Sequence, residues 1–168
     1  MSGKSLYINQ ELIGEKTADI EKSIALLNKI ALTERKKFLE DQIILSAAKY
    51  QLVLAIEAAQ SICNHLAARV AKEAPESYAD CFRILGKCGI ITRELAAKLA
   101  SMAKFRNLLV HRYDKIDDEI VYDILKNNTG DLLEYTDGIK TFLKTYLDGA
   151  DRHGKEKAPA PGRGKKKD

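Results

Sequence analysis

Cysteine is scarce in this sequence: Cys63, Cys81 and Cys88 are the only three in 168 residues. An odd set with no C-x-x-C pair and no Cys/His cluster at metal-ligand spacing offers neither a disulfide framework nor a zinc site. A reducing compartment, the cytoplasm, is the setting this predicts. Long apolar runs are missing too. The most apolar clusters, such as residues 52–56, fall far short of the roughly 20 residues a membrane span needs. No basic segment followed by an apolar stretch opens the chain, so the expectation is a soluble, unexported protein. Charge of one sign is absent from most of the chain as well. Residues 149–168 hold seven of the 28 basic residues and three of the 24 acidic ones, so the formal +4 belongs to the tail and the other 148 residues carry 21 of each sign. Net charge therefore gives no argument for nucleic acid, and any footprint for phosphate must be a local patch.

Strand-like alternation and internal repeats are also lacking, and the period that is present is helical nearly everywhere. Ile13, Thr17, Ile20, Ile24, Leu27 and Ala31 step by four and three, placing one apolar stripe on a first helix over about residues 9–31. Thr33, followed by Glu34, is read as the cap of a second helix running to about residue 70. Its middle, residues 43–56, is apolar around most of its circumference and is expected to be the central helix. Pro75 interrupts the pattern, and Ser77 with Asp80 resembles a capping box for a short helix ending near Gly86 or Gly89. Thr92 caps a fourth helix through about His111. Asp117 caps a fifth, with Asp118 and Glu119 in its first turn and Ile116 placed to staple against Val121. Val121, Ile124, Leu132, Tyr135, Ile139, Phe142 and Tyr146 stay in phase across Gly130, so one long helix is expected there, with Gly130 the place for a kink.

The fold class these patterns predict is all-α, an antiparallel helical bundle of about five helices. The domain reading is a helical domain over residues 1–148 and a disordered Lys/Gly/Pro-rich tail over 149–168, whose composition buries too little apolar surface to offset the entropy of ordering. Residues 159–167 resemble a phosphate loop superficially but lack the G-x-x-x-x-G-K-[ST] spacing and any preceding strand.

Candidate chemistry concentrates on the fourth helix. Leu95, Leu99, Met102 and Leu109 share a stripe, and Arg106 falls in the middle of it. A guanidinium cannot shed its charge, so the position implies a carboxylate partner, a path to water, or an anionic ligand. The plain alternative is a structural ion pair at a helix or subunit interface. His111 lies five residues on, roughly 140° around an ideal helix and about 7.5 Å along it. The two converge only if the arginine wraps around, the helix loosens, or two chains meet. Alternatively, His111 and Arg112 in a last turn are favoured simply by the macrodipole and the unpaired carbonyls. His65, beside Asn64, reads as half of a satisfied, half-buried polar pair, and His153 lies in the tail. Asp117, Asp118 and Glu119 read as capping residues, and no residues are assigned to a metal. No nucleophile elbow, H-E-x-x-H or EF-hand spacing is present.

Arg106-Asn107-Leu108-Leu109-Val110-His111-Arg112-Tyr113 resembles the R-x4-H-x-Y motif of HepT-type toxins of the HEPN superfamily, complete over the motif. The likeness extends to residues 55–65, similar to that family's central helix, and to residues 75–89, similar to its short third helix and turn. It covers about residues 9–147. The resemblance implies a homodimeric, metal-independent RNA endonuclease with no cofactor, in which two motifs form one cleft. Arg106 and His111 would be catalytic and Asn107 accessory. It further implies the toxin half of a type VII-like toxin–antitoxin pair, with Tyr113 receiving AMP from a cognate minimal nucleotidyltransferase. The alternative within the family is a non-catalytic HEPN module that binds a nucleotide or a nucleotidyltransferase partner. For Tyr113 alone, an ordinary core or interface aromatic is the plain reading.

Overall fold

The computed structural model describes residues 7–112 and 115–155, with side chains through 149. The first helix, α1 (Gln10–Ile30), forms on the predicted stripe: Ile13, Thr17, Ile20, Ile24 and Leu27 are all buried. Asn9 caps it, its side chain accepting from the Leu12 N–H.

The predicted second helix is two. Helix α2 (Arg35–Glu40) is capped by the carboxylate of Glu34 rather than by Thr33, and a break at Asp41 separates it from α3 (Gln42–Leu66). Asp41 is extended, at φ −94° and ψ 98°, and its Oδ1 accepts from the N–H groups of Ile43 and Ile44. A short acid that satisfies two backbone donors locally competes with helix continuation, which is the physical reason for the break. Helix α3 then loosens into a π-helical turn over Ala67–Ala71 and stops at Lys72, which has a left-handed φ of 56°.

By length and composition Gln42–Ala71 would pass for a membrane-crossing helix. In this fold it is instead the hub of the bundle, touching every other helix. Leu45, Ala48, Leu52, Ala55, Ile56, Ala59, Ile62, Cys63 and Leu66 are buried along it, while Lys49 and Glu57 form ion pairs with Asp118 and Arg106.

Helices α4 (Tyr78–Lys87) and α5 (Arg93–His111) form an antiparallel hairpin, capped by Ser77 and Thr92 as the sequence predicts. Between them, Gly89 adopts φ +74°. Its N–H donates to the Gly86 carbonyl and that of Ile90 to the Leu85 carbonyl, the pattern of a glycine-terminated helix that few other residues could occupy without strain. Gly86 has a separate role. A Cβ there would lie 2.7 Å from the Ala96 Cβ, so α4 and α5 approach as closely as they do only because this position has no side chain.

The predicted last helix is also two, α6 (Asp118–Asn127) and α7 (Gly130–Lys155). The break falls at Asn128 and Thr129, where turn bonds from Asp131 to Asn128 and from Leu132 to Thr129 replace the helical ladder. The apolar phase survives it: Val121 and Leu125 before, and Leu132, Tyr135 and Ile139 after, are all buried. Tyr135 donates its hydroxyl to the Ala59 carbonyl at 3.1 Å and meets Phe82 edge-on, tying α7 to α3 and α4. Helix α7 continues past residue 148 to Lys155. The result is an all-α bundle of seven helices rather than about five, with no strand among the described residues.

His65 closes the far end of α3. Its Nε2 accepts from the Asn9 N–H at 2.9 Å, so its partner is the start of α1, not Asn64. Burial, with Arg69 nearby, lowers its pKa below the ordinary imidazole value. The unfolded chain then binds the proton more readily, so this contribution to stability is intact above about pH 6.5 and is lost as pH falls through the folded-state pKa. His65→Gln should narrow the stability difference between about pH 7 and about pH 5 in urea unfolding, relative to wild type. Gly86→Ala should destabilise the fold by about 1–3 kcal/mol in the same assay, because Ala96 offers a rigid methyl and no flexible chain end to move aside.

Candidate active site

Arg106 sits on the inner side of α5, where Leu95, Leu99, Met102 and Leu109 are buried around it, and its own side chain is 13% exposed. Its charge is met from α3: Nη2 forms an ion pair with Glu57 Oε1. The guanidinium carbon stands 5.4 Å from the centroid of the Tyr78 ring at the start of α4, and Nη1 donates to Asn107 Oδ1 at 3.3 Å. Of the partners the sequence allowed for this arginine, a carboxylate is therefore present, and it comes from the central helix of the same chain.

The pair borders a cleft of about 210 Å³ lined by Ile56, Glu57, Gln60, Ser61, Asn64, Tyr78 and Arg106. Its α3 wall is polar. Gln60 Nε2 donates to Asn64 Oδ1 at 3.0 Å and Ser61 Oγ donates to the Glu57 carbonyl. Two buried polar atoms of the cleft, Gln60 Oε1 on α3 and Arg106 Nε on α5, have no hydrogen-bond partner among the described residues. Glu57 itself is half-exposed, at 45%. This ion pair stands at the rim of a solvent-reachable, hydrogen-bonding cleft and is not sealed in an apolar core.

His111 is the last residue of α5 and is exposed, as are Asn107 and Arg112. The chain thus does not bring Arg106 and His111 onto one face; five residues of helix turn them roughly 140° apart. Leu108 and Val110, which flank the histidine on the outer side, are 49% and 44% exposed, so the outer side of the motif carries apolar surface. Tyr113 lies outside the described residues. Downstream, Asp117 caps α6, Asp118 pairs with Lys49 at 2.7 Å, and Glu119 pairs with Arg35. Arg35 also packs over the Tyr122 ring at 5.3 Å. Asp117 is therefore occupied as a cap, and Asp118 and Glu119 in holding α6 against α3 and α2. Cys63 and Cys81 are buried free thiols, and burial drives Cys63 far above the usual thiol range, which suits an inert core position. The side chain of His153 lies outside the described residues.

Sequence reasoning singled out Arg106, Asn107 and His111 but not the other side of the cleft. Glu57, Gln60, Ser61 and Asn64 recur at helical spacing on an otherwise apolar helix, a polar stripe that was visible without the structure. Tyr78 carried no such signal; only the α4–α5 hairpin brings it to the arginine.

The family model described as ribonuclease HepT-like matches residues 20–139. The chain is 26% identical over 130 residues to an mRNA nuclease HepT of Shewanella oneidensis, covering 77% of this chain and 97% of that protein. It is 32% identical over 112 residues to a tRNA nuclease HepT of Aphanizomenon flos-aquae, covering 67% and 71% respectively. Among solved structures, a tri-AMPylated Shewanella oneidensis HEPN toxin in complex with MNT antitoxin superimposes with a TM-score of 0.74 at 26% identity, over 79% of this chain and 99% of the toxin. The match runs from the apolar stripe of α1, through Glu57 and the arginine-bearing helix, to the buried face of α7, and this chain belongs to the HepT-like ribonuclease family.

Proposed function

We propose that this protein is an RNA endonuclease, the toxin of a toxin–antitoxin pair, and that Arg106 and His111 carry the chemistry. The observation that carries the reading is the placement of Arg106: within a family of ribonucleases, the arginine of the R-x4-H-x-Y motif stands at the rim of a polar cleft with donors to spare. A guanidinium has five N–H donors. Glu57 and Asn107 engage Nη2 and Nη1, and Nε has no partner, so the group is held in place while retaining capacity for phosphate oxygens.

RNA can be cut without an external nucleophile. The 2′-oxygen attacks the adjacent phosphorus, the bond to the 5′-oxygen breaks, and a 2′,3′-cyclic phosphate and a 5′-hydroxyl result. A base must take the proton of the 2′-hydroxyl and an acid must supply one to the departing 5′-oxygen. Histidine suits both tasks, since an ordinary imidazole titrates near about pH 6.5. Arginine suits the charge that builds on the phosphorane, as a fixed planar cation. Asn107 acts as an accessory, orienting the Arg106 guanidinium through Nη1.

One motif supplies one histidine, facing away from its arginine, so the site is assembled from two copies of the chain. The exposed Leu108 and Val110 beside His111 are the apolar surface available to such an association. In this reading the protein works in the cytoplasm, where its free thiols stay reduced and its substrate resides. Control is exerted at Tyr113, two residues after the histidine. Transfer of AMP to its hydroxyl by a minimal nucleotidyltransferase partner would add bulk and negative charge to the motif and compete with substrate phosphates for its cations. The solved relative with AMP attached and antitoxin bound supports this reading of the partner.

Purified protein should cut total RNA in the presence of EDTA, with Arg106→Ala and His111→Ala each slower by about 10²–10⁴-fold. Equal cutting by wild type and both variants would overturn the assignment. Co-expression with a neighbouring minimal nucleotidyltransferase should raise the mass by multiples of one AMP unit and abolish cutting. Survival of that mass increase in Tyr113→Phe would place the modification elsewhere.

A further inference from the structure

The cleft beside Arg106 holds more hydrogen-bonding capacity than its own residues use. Gln60 is 4% exposed, and one end of its amide is bonded to Asn64 while the other has no partner, whichever way the amide is turned. Arg106 Nε is likewise buried and unpartnered. Glu57 commits Oε1 to Arg106, leaving Oε2 open on a half-exposed side chain. Buried polar groups left in this state are costly, and proteins keep them where water or a ligand completes them. The other walls are apolar and flat: Ile56 on α3 and the ring of Tyr78, which is 40% exposed. Water satisfies polar atoms but gains nothing from an aromatic face. A planar heterocycle with an edge of donors and acceptors satisfies both.

Size narrows the choice. At about 210 Å³ the cleft is smaller than the roughly 300–1,000 Å³ that takes a drug-sized molecule, and it suits one ring system rather than a whole nucleotide. Single-stranded RNA presents such rings, splayed out, stacked on aromatic side chains and read along their Watson–Crick edges. The hydrogen-bonding order selects among the bases. Two acceptors, Glu57 Oε2 and Gln60 Oε1, beside one donor, Arg106 Nε, ask for adjacent N–H donors and a carbonyl acceptor. Guanine offers N1–H, the N2 amine and O6 along one edge, whereas adenine and cytosine present one amine beside ring acceptors.

We propose that the α3–α4–α5 cleft is a nucleobase subsite of the ribonuclease, receiving a guanine next to the scissile phosphate. Glu57 Oε2 accepts from N1–H, Gln60 Oε1 accepts from the N2 amine, Arg106 Nε donates to O6, and Tyr78 stacks on the ring. This rests on the ribonuclease reading and adds to it which nucleotide is held. Arg106 is the shared element, with Nε turned to the base and its remaining donors to the phosphate.

Two measurements separate this proposal from the activity on which it rests. In the first, a random-sequence single-stranded RNA is cut by wild type and the cut sites are sequenced. Guanine is expected at one fixed position beside the cut, enriched by about tenfold, equivalent to roughly 1.4 kcal/mol, and Gln60→Met and Tyr78→Leu should flatten that preference and raise KM more than they lower kcat. In the second, the non-cutting His111→Ala protein is titrated with fluorescent hexamers containing guanosine, inosine or uridine. Inosine, which lacks the N2 amine, should bind several-fold more weakly than guanosine, and Gln60→Met should abolish the difference. Cutting with no base preference, unchanged in Gln60→Met, would overturn the subsite and leave the ribonuclease reading standing. If wild type cuts nothing, that reading fails, and equal binding of the three hexamers would then overturn the subsite as well. A preference for a different base that disappears in Gln60→Met would keep the subsite and overturn guanine.

Discussion

The ion pair between Arg106 on α5 and Glu57 on α3 is the contact on which the rest of the site depends. Without a carboxylate at that point, a permanently charged group on the inner face of α5 would have to snorkel outward, and the apolar stripe of Leu95, Leu99, Met102 and Leu109 would lose its register against the central helix. Burying both charges fully would make the pair costly and chemically idle. Leaving Glu57 half-exposed avoids this. The pair stays reachable by solvent, and the guanidinium is fixed in direction while several of its donors remain free.

Everything else in the bundle keeps those two helices where they are. Helix α3 is the hub, and α1 and α7 pack on it through Ile20, Ile24, Leu27, Tyr135 and Ile139. The α4–α5 hairpin brings Tyr78 to the guanidinium. The ion pairs from Lys49 to Asp118 and from Arg35 to Glu119 fasten the start of α6 just beyond the motif, so the chain segment after His111 leaves from one anchored helix and returns to another. A constellation carried on helices whose ends are pinned in this way has its geometry set before any ligand arrives.

Much of this was legible in the residues themselves. Helical periods gave the buried stripes of α1 and α5 and the first half of that of α7, and Ser77, Thr92 and Asp117 announced three helix starts, whereas Thr33 yields its expected capping role to Glu34. The two helix breaks escaped notice for one reason. At Asp41 and at Asn128–Thr129 the chain turns without losing its apolar phase, so periodicity continues through a cap whose evidence is a side-chain or turn hydrogen bond. On the site, an arginine in an apolar stripe implied a partner but not which of the acids supplied it. That choice is made by the angle at which α5 crosses α3, a tertiary quantity that one helix's pattern does not encode. Tyr78 was illegible for the same reason, and His65 was assigned the wrong neighbour because its true one is 56 positions away.

The absent side chain at Gly86 reaches further than its own turn. With α4 and α5 in backbone-close contact at Ala96, the spacing within the hairpin is fixed, and the aromatic of Tyr78 and the arginine are carried on that one unit. Only the α3 wall can vary independently. Within such a scaffold the anchor, its carboxylate partner and the ring go together, while two polar positions on the neighbouring helix, 60 and 64, form an exchangeable panel. A substitution at either position changes what borders the cleft while leaving the pair of Arg106 and Glu57 intact.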